Sequence, residues 1–239
     1  MSILKTSILL RTSVIIALLF SSALTIKAQS NLKTYSYKKG QVLDIILLNT
    51  KPEAQEELAY YFKTALPVAT KYGYKGQGGL ALKSSPSQGN YHPESLIFGV
   101  WNSLKQRKDF LTNIEDVMPE FHQARRNIWS SFNMTFWEMK SDLSFTVDTD
   151  KFNVATAYWK SDEGDFGKFK KSWDALAKRT GGKEILALTN GESPFGYYYN
   201  PDYMVITQWN SKSDFEKFLK ENLEMKHDGV KHVNQFIIQ

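Results

Sequence analysis

The chain has 239 residues, no cysteine and a formal net charge of +5 at neutral pH. A hydrophobic fraction of 42% and a charged fraction of 23% are typical of a globular protein and argue against a disordered or fibrous chain. The absence of cysteine excludes disulfide scaffolds, thiolate metal sites and a cysteine nucleophile. The net positive charge is compatible with nucleic acid or an anionic membrane as a partner.

Residues 1–28 are predicted to be a secretory signal peptide. Lys5 and Arg11 give a positive start, a short apolar run follows, and Ala28 is a small residue just before Gln29. The apolar run is shorter than the about 20 residues that span a bilayer, and an uncleaved N-terminal anchor is the competing interpretation. We expect an exported protein, periplasmic or secreted, with no stable membrane insertion after cleavage. Cleavage removes three basic residues and no acid, so the charge falls from +5 to +2 and nucleic-acid binding is not expected.

The first half of the mature chain, residues 41–139, follows a lead-in at 29–40. A near-continuous apolar run at 42–48 predicts a strand covered on both faces. Thr50 and Glu53 have the spacing of a capping box, which predicts a helix start. The elements predicted after this point are a helix around 58–66, a strand at 80–83, a strand at 96–101, a helix from about 105 that is interrupted near Pro119, and a strand at 134–139.

The second half, residues 151–239, repeats this order after a polar, turn-forming linker at 140–150. A helical apolar stripe over 166–177 is ended by Gly181, the usual C-terminal residue. Ser213 begins a second predicted helix through a capping box. Strands are predicted at 152–159, 185–188, 203–209 and 233–238.

The two halves share local sequence in the same order. Trp101 to Ser103 recurs as Trp209 to Ser211, and nine residues after each tryptophan come Phe110-Leu111 and Phe218-Leu219. Such self-similarity indicates two copies of one unit. Each copy reads β-α-β-β-α-β, the ferredoxin-like arrangement.

This pattern resembles the dimeric α/β-barrel superfamily, which includes antibiotic-biosynthesis-monooxygenase-like and NIPSNAP-like domains, and Gln208 to Lys220 is the closest segment. The resemblance implies an α+β fold: two tandem ferredoxin-like β-α-β-β-α-β repeats whose sheets pack into a single-chain α/β barrel, as a monomer or a homodimer. It also implies a small-molecule ligand, with cofactor-independent oxygenation or proton transfer on an aromatic or apolar substrate. A non-enzymatic ligand-sensing, carrier or interaction module is the alternative. A haem-binding member using a helical histidine, His122 or His227, is a further alternative, and no other cofactor is expected.

Five residues are candidates for the ligand pocket inside that barrel. One face of the third strand of each repeat carries Gly99 and Trp101 in the first, and Tyr203, Thr207 and Trp209 in the second. The opposite face is more uniformly aliphatic, so we assign it to the helices and the five candidates to the barrel. Core packing of both tryptophans is the competing interpretation.

Titratable residues supply the catalytic candidates. Asp44 lies in an apolar strand, so its carboxylate is expected to be paired, protonated or near water, at a strand end or sheet edge. His122 and His227 each follow the Phe-Leu pair of their repeat, although a surface position is the simpler interpretation. No metal site is predicted, because no histidine or carboxylate motif has metal-ligand spacing.

Two further segments are noted. The loop Tyr197 to Tyr199 is aromatic enough to stack on a ring or simply to bridge surface and core. Arg125-Arg126 is a short basic patch, which is usually a solvated helix face.

Overall fold

A computed structural model describes residues 31–82 and 84–238, so the predicted signal peptide at 1–28 lies outside the described residues. The lead-in contains β1 (Leu32–Tyr37). The first repeat then consists of β2 (Val42–Thr50), α1 (Gln55–Lys71), β3 (Tyr74–Ala81), β4 (Ser95–Trp101), α2 (Leu104–Val117), α3 (Phe121–Ile128) and β5 (Trp129–Glu138).

The segment between the repeats contains β6 (Leu143–Asp148). The second repeat consists of β7 (Phe152–Lys160), α4 (Phe166–Arg179), β8 (Lys183–Thr189), β9 (Tyr203–Trp209), α5 (Lys212–Glu224) and β10 (Val230–Ile238).

The strand order identifies both repeats as ferredoxin-like. One antiparallel sheet has the order β3-β4-β2-β5 and the other β10-β7-β9-β8. In each sheet the first and third strands of the repeat are central neighbours, and the second and fourth are at the edges, as two split βαβ units require. The predicted fold class, α+β with two tandem ferredoxin-like repeats, is therefore confirmed.

The two sheets face each other across a shared apolar core. This core draws on both repeats, with Leu43, Ile45 and Phe98 from one sheet and Met204 and Ile206 from the other. Among the described residues, three isolated bridges connect the sheets at their edges, Leu82 to Ile238 and Gln88 to Gln235 at one side and Phe136 to Glu192 at the other. The ladders do not continue around, so the sheets pack face to face without closing a barrel.

The helices cover the outer face of each sheet. Helices α1, α2 and α3 pack on the first sheet through one apolar cluster, and α4 and α5 pack on the second through another. Each repeat thus has a helix-facing core of its own, and the inter-sheet core joins them.

The lead-in and the linker pair with each other. β1 and β6 form a two-stranded antiparallel ribbon, with Tyr35 opposite Phe145. Tyr35 and Tyr37 are buried in the inter-sheet core, and the Tyr35 ring lies 4.3 Å from that of Phe98. The linker predicted from its polar composition therefore contains a strand, because alternate residues, Phe145 and Val147, face the core while the polar ones face solvent.

The second helix of each repeat begins with the repeated serine. The Ser103 side chain accepts from Gln106 N–H, and that of Ser211 from Asp214 N–H. The predicted cap at Ser213 is therefore wrong by two residues. The predicted cap at Thr50 is also wrong, because Thr50 ends β2 and its N–H donates to Glu94 Oε2 at 3.2 Å.

Candidate functional site

The five pocket candidates lie on the opposite sheet face from the one predicted. Trp101 belongs to the helix-facing core of the first repeat, and Tyr203 and Trp209 to that of the second. Gly99 and Thr207 share their strand faces, since strand side chains alternate. The aliphatic residues assigned to the helices, Leu96, Phe98, Val100, Met204 and Ile206, instead fill the inter-sheet core.

Packing explains the inversion. The facing sheets interlock mainly through aliphatic and aromatic side chains, Trp137 among them, whereas Trp101 and Trp209 are covered by helices. The space above Gly99 is occupied by the ring of Tyr74, which a Cβ on Gly99 would approach to 2.6 Å. Gly99 therefore leaves no open space for a ligand, because a residue of the neighbouring strand β3 fills it.

Asp44 is the third residue of β2, an inner strand of its sheet, so the predicted position at a strand end or sheet edge is wrong, whereas the predicted pairing of its carboxylate is confirmed. Its side chain is 1% exposed and its Oδ1 accepts from Arg107 Nε at 2.8 Å. Its Oδ2 accepts from Trp101 Nε1 at 2.7 Å. Arg107 is 2% exposed and its guanidinium carbon lies 3.9 Å from the centre of the Phe136 ring. Both carboxylate oxygens are engaged and enclosed, so Asp44 is a structural anion and not an accessible base.

His227 is isolated from the other candidates. Its ring lies 5.1 Å from Phe169, and its buried Nε2 has no hydrogen-bond partner among the described residues. Burial lowers the pKa of this imidazole, with a partly opposing effect of a hydrogen bond to the Met225 backbone.

The third catalytic candidate, His122, lies in a polar cluster at the seam between the repeats. The cluster is built around Arg125 of α3, which is buried although its neighbour Arg126 is exposed. Arg125 Nε donates to Tyr61 Oη at 2.8 Å, and Nη1 donates to Tyr197 Oη at 2.7 Å. Tyr61 comes from α1 and Tyr197 from the second repeat, so one guanidinium ties the two repeats together.

Aromatic rings surround the same guanidinium. Its central carbon lies 4.1 Å from the ring centre of Phe121 and 4.6 Å from that of Phe132. Cation–π contacts of this kind stabilise a desolvated cation by about 2 kcal/mol or more. In residues 31–82 and 84–238, no carboxylate lies within ion-pair distance of Arg125. We call Arg125, Tyr61, Tyr197 and His122 the seam cluster.

His122 connects this cluster to a surface carboxylate. Its Nδ1 lies 3.3 Å from Tyr197 Oη, and its Nε2 lies 3.4 Å from Glu115 Oε1. Desolvation lowers the pKa of His122, and the charge of Arg125 lowers it further, while Glu115 acts in the opposite direction. A mostly neutral imidazole thus stands between a carboxylate and a phenol, which is an arrangement able to move a proton.

Tyr197 is delivered by a loop that crosses from the second sheet to the first. Its neck is closed by two backbone hydrogen bonds, Asn190 N–H to Asp202 O at 2.9 Å and Gly191 N–H to Pro201 O at 3.0 Å. Inside the loop Tyr199 is buried against Tyr91 and Trp159. We call residues 190–202 the seam loop.

The sequence contains one signal that would have located the cluster. Residues Phe121, Ala124, Arg125 and Ile128 have the i, i+3, i+4, i+7 spacing of one helix face, and all four are buried. The position of Arg125 on this apolar helix face predicts that it is buried, which its membership of an arginine pair does not. The interpretation of Arg125-Arg126 as a solvated face is therefore correct for Arg126 and wrong for Arg125.

A separate depression of about 330 Å³ lies at the surface, lined by Lys33, Thr34, Tyr35 and Gln77 to Gly79. Its only lysine already donates to Gly79 O at 3.1 Å, and the depression is open to solvent. It lies beside the β1–β6 ribbon and contains none of the predicted site residues.

Comparison with known proteins gives structural likenesses alone. No protein-family model matches the chain, and no curated protein sequence matches it significantly. The chain is similar to a chlorite dismutase from Candidatus Nitrospira defluvii, with 8% identity and a TM-score of 0.47 over 85% of this chain and 93% of that one. An anthrone oxidase-like protein has 13% identity and a TM-score of 0.44, covering 86% of this chain and 94% of that one.

A monooxygenase-like protein from Fusobacterium nucleatum has 13% identity and a TM-score of 0.38, covering 84% of this chain and 92% of that one. These scores are too low to carry an argument about site or activity. The ferredoxin-like repeats implied by the resemblance to the dimeric α/β-barrel superfamily are established by the strand order itself.

The residues present do not fit a haem. Both ring nitrogens of His122 face protein partners, Tyr197 and Glu115. The Nε2 of His227 is buried in the protein and has no hydrogen-bond partner among the described residues. Across the described residues there is no group of three or more histidine, aspartate or glutamate side chains placed to hold a metal ion. Within that same part of the chain, no helix combines the length and apolarity needed to cross a membrane.

Proposed function

We propose that this protein binds a small organic anion at the seam cluster, without using the inter-sheet space. The observation that supports the proposal is the buried guanidinium of Arg125, which has neutral hydroxyl partners and aromatic neighbours but no carboxylate among the described residues. The inter-sheet space, where the resemblance places a ligand, is filled by side chains of both sheets.

The energetics of a buried cation favour an anionic ligand. Removing a charge from water costs several kcal/mol unless an opposite charge or strong hydrogen bonds replace the solvent. Arg125 offers five N–H donors, and two of them are taken by Tyr61 and Tyr197. A carboxylate accepts two parallel N–H donors from a guanidinium, which is the strongest pairing available to it. The ligand would therefore supply the missing counter-charge.

His122 strengthens this interpretation. Its side chain is 39% exposed, so the cluster is reachable from solvent on the side of the imidazole. A bound anion would favour the protonated imidazole and oppose the effect of Arg125 on the His122 pKa. Ligand binding is therefore expected to raise the His122 pKa.

The test is an NMR titration of the protein with acetate and with benzoate, repeated on Arg125→Gln and on Arg126→Gln. We expect Arg125→Gln to weaken binding more than about tenfold, the effect of losing charge-assisted hydrogen bonds. Arg126→Gln is the matched control, because the Arg126 side chain is exposed and donates to Gln123 of its own helix. Equal weakening in both variants would mean a non-specific electrostatic effect and would refute the proposal.

Folding of the variants is monitored by their thermal unfolding. Tyr197→Phe provides a milder second variant, since it removes one hydroxyl and keeps the ring packing. If the Arg125 variant does not fold, a shift of the His122 pKa on adding benzoate to wild type and to Tyr197→Phe still tests the site.

Proton transfer is a second candidate function, supported by the line of groups from Glu115 through His122 to Tyr197. On a bound carbonyl acid, a base at the Tyr197–His122 pair would take the α-hydrogen as a proton and leave an enolate, which Arg125 would stabilise. Solvent deuterium incorporation into phenylpyruvate, followed by NMR, tests this. Protein-dependent exchange that disappears in both Tyr197→Phe and His122→Gln is the expected result, and exchange no faster than in buffer would exclude it.

We also propose export with removal of residues 1–28, on the strength of the sequence pattern alone. Mass spectrometry of the protein from the producing cells is expected to find an N-terminus near Gln29. An intact Met1 on exported material would contradict this.

A further inference from the structure

The surface depression beside the β1–β6 ribbon lies between two strand edges. One wall is β1, at Lys33 to Tyr35, and the other is the glycine-rich part of β3, at Gln77 to Gly79. β3 is the outer strand of its sheet and β1 pairs with β6, so each has one edge without a partner strand in the described part of the chain. We call this depression of about 330 Å³ the ribbon groove.

The register of the ribbon shows which backbone groups of β1 face the groove. Thr149 N–H donates to Asn31 O, and in an antiparallel pair only alternate residues bond to the partner strand. Lys33 and Tyr35 therefore bond to β6, whereas the backbone N–H and C=O of Thr34 point away from β6, on the side of the groove. No other described residue forms a backbone hydrogen bond with Thr34 on that side.

The same alternation applies to β3. Asn102 N–H donates to Gly73 O, so the backbone groups of Gly76 point away from β4. Beyond the bulge that follows Gly76, the carbonyl of Gly79 also points outward, because it accepts from Lys33 Nζ at 3.1 Å. Glycines in a strand leave the backbone uncovered, which permits close approach of another backbone.

Side chains, and not backbone hydrogen bonds, connect the two walls. Lys33 reaches Gly79 O at one end, and Gln77 Nε2 donates to Ser36 O at 3.3 Å at the other. Residues 33 to 36 span about 10 Å of extended chain. Gln77 Oε1 is a buried acceptor without a hydrogen-bond partner among the described residues. The groove therefore presents donors and acceptors from two facing edges.

An extended peptide matches this pattern, because its backbone alternates N–H and C=O groups along both of its edges. A single exposed edge is usually protected by a lysine or a bulge, but two facing edges can bond one inserted strand on both sides. Lys33 adds a charge preference. No carboxylate of the described residues lies within ion-pair distance of its ammonium group, so an acidic side chain on the peptide would supply the counter-charge.

We propose that the ribbon groove binds an extended acidic peptide segment of another protein by β-strand addition. On binding, the Lys33 ammonium exchanges Gly79 O for the peptide carboxylate, and Gly79 O accepts from a peptide N–H instead. The inference is independent of the proposed anion site, because no residue of the seam cluster lines the groove.

NMR titrations with end-blocked peptides test the proposal. The probe is acetyl-Val-Glu-Val-Thr-Val-amide, and a second peptide has Lys in place of Glu. A third carries N-methyl groups on two adjacent residues, which removes one donor from each edge. We expect the N-methylated peptide to bind more than about tenfold more weakly than the probe, the effect of two lost hydrogen bonds, and the Lys peptide about two- to fivefold more weakly.

Amide hydrogen exchange locates the peptide. The probe is expected to slow exchange at Thr34 and Gly76, and to leave Lys33 and Tyr35 unchanged, since their N–H groups already bond to β6. Faster exchange at Lys33 and Tyr35 would mean that the peptide displaces β6 and would overturn the proposal. Equal binding of the N-methylated peptide would do the same, and acetyl-Glu-amide binding as tightly as the probe would identify a small anion as the occupant.

Two variants test the walls, with thermal unfolding as the check on folding. Lys33→Glu is expected to reverse the preference between the Glu and Lys peptides, whereas Lys63→Glu, the same charge change at an exposed position of α1, is expected to retain it. Thr34→Pro removes a donor that faces the groove and leaves the bonds to β6, so about fivefold weaker binding is expected. Equal effects of Lys33→Glu and Lys63→Glu, or undiminished binding to Thr34→Pro, would refute strand addition at this groove.

Discussion

The helix-facing core of the first repeat contains a buried ion pair, whereas the corresponding positions of the second repeat are apolar. Asp44 lies opposite Gly99 in the first sheet and Val154 lies opposite Thr207 in the second. Arg107 N–H donates to the cap residue Ser103 O at 3.1 Å, and Phe215 N–H to Ser211 O at 3.3 Å. The pair Asp44–Arg107 is thus replaced in the second repeat by Val154 and Phe215.

The repeated tryptophan has an acceptor for its indole N–H in the first repeat and lacks one in the second, within the described residues. Trp101 Nε1 donates to Asp44, but the equivalent Trp209 Nε1 is buried without an acceptor among the described residues. The same fold therefore accepts either a closed polar triad or an apolar core with an unpaired indole. The comparison shows that the ion pair is not required by the ferredoxin-like topology, and its contribution can be measured inside one molecule.

Breaking the pair from one side is expected to have the largest effect. Arg107→Leu leaves the Asp44 carboxylate buried with a single donor, which costs about 3–5 kcal/mol of unfolding free energy. Urea unfolding measures the loss. Lys108→Leu, at the adjacent exposed position of α2, is expected to stay within about 0.5 kcal/mol of wild type, and similar losses in the two variants would show that the pair is unimportant.

The two tryptophans are expected to respond differently to the same substitution. Trp101→Phe and Trp209→Phe remove similar volumes, but only the first removes a donor from a buried carboxylate. Trp101→Phe should therefore be less stable than Trp209→Phe by about 1–3 kcal/mol. Parallel denaturant curves check the ranking, and a larger loss in Trp209→Phe would reverse our interpretation of the comparison.

Replacing the ion pair of the first repeat by the apolar residues of the second is expected to avoid the loss of stability that a single substitution causes. Asp44→Val together with Arg107→Phe removes both charges and introduces the residues found in the second repeat. Buried ion pairs are often replaced by apolar groups at no cost, so the double variant should be within about 1 kcal/mol of wild type or more stable. A double-mutant cycle with both single variants measures the coupling, and additive losses would show that the repeats differ in more than these two residues.

The smallest expected effect concerns His122 of the first repeat and His227 of the second. The pKa of each is lowered from 6.5, first by burial. As pH falls below 6.5, the unfolded state therefore binds more protons than the folded state, and stability decreases. His122→Gln and His227→Gln should each flatten this decrease.

Salt separates the two sites. Besides burial, the charges of Arg125 and Arg126 lower the pKa of His122 and that of Glu115 raises it. The causes of the lowered His227 pKa include no charged side chain: burial lowers it, and a hydrogen bond to the Met225 backbone acts in the opposite direction. NMR titration at low and high salt should raise the His122 pKa with salt more than the His227 pKa. Equal responses would show that the charges of Arg125 and Arg126 do not lower the His122 pKa.

The order of strands and helices in the two repeats could be predicted from the sequence, because the residues that recur in both repeats occupy equivalent structural positions. Ser103 and Ser211 cap equivalent helices, and Trp101 and Trp209 end equivalent strands. The helix break near Pro119 is confirmed, with α2 ending at Val117 and α3 beginning at Phe121. These features depend on near neighbours in the chain, which a sequence displays directly.

The orientation of the strand faces could not be predicted in the same way. Period-two alternation separates Leu96 and Phe98 from Gly99 and Trp101, but it does not say which set meets a helix. Both sets are apolar, so the choice depends on how the second sheet approaches. The site was also scattered in the sequence, because His122, Arg125 and Tyr197 meet only when the seam loop crosses to the first repeat.

The ribbon of β1 and β6 has a consequence for the order of folding. Its pairs are distant in the chain, such as Thr34 and Thr146 at a separation of 112 residues. During synthesis β1 emerges long before its partner, and the loop between them must be closed against chain entropy. Tyr35 and Tyr37 thus stay uncovered until the whole first repeat has been made. A protease cut between Glu138 and Leu143 would place β1 and β6 on different fragments, and neither fragment could form the ribbon alone.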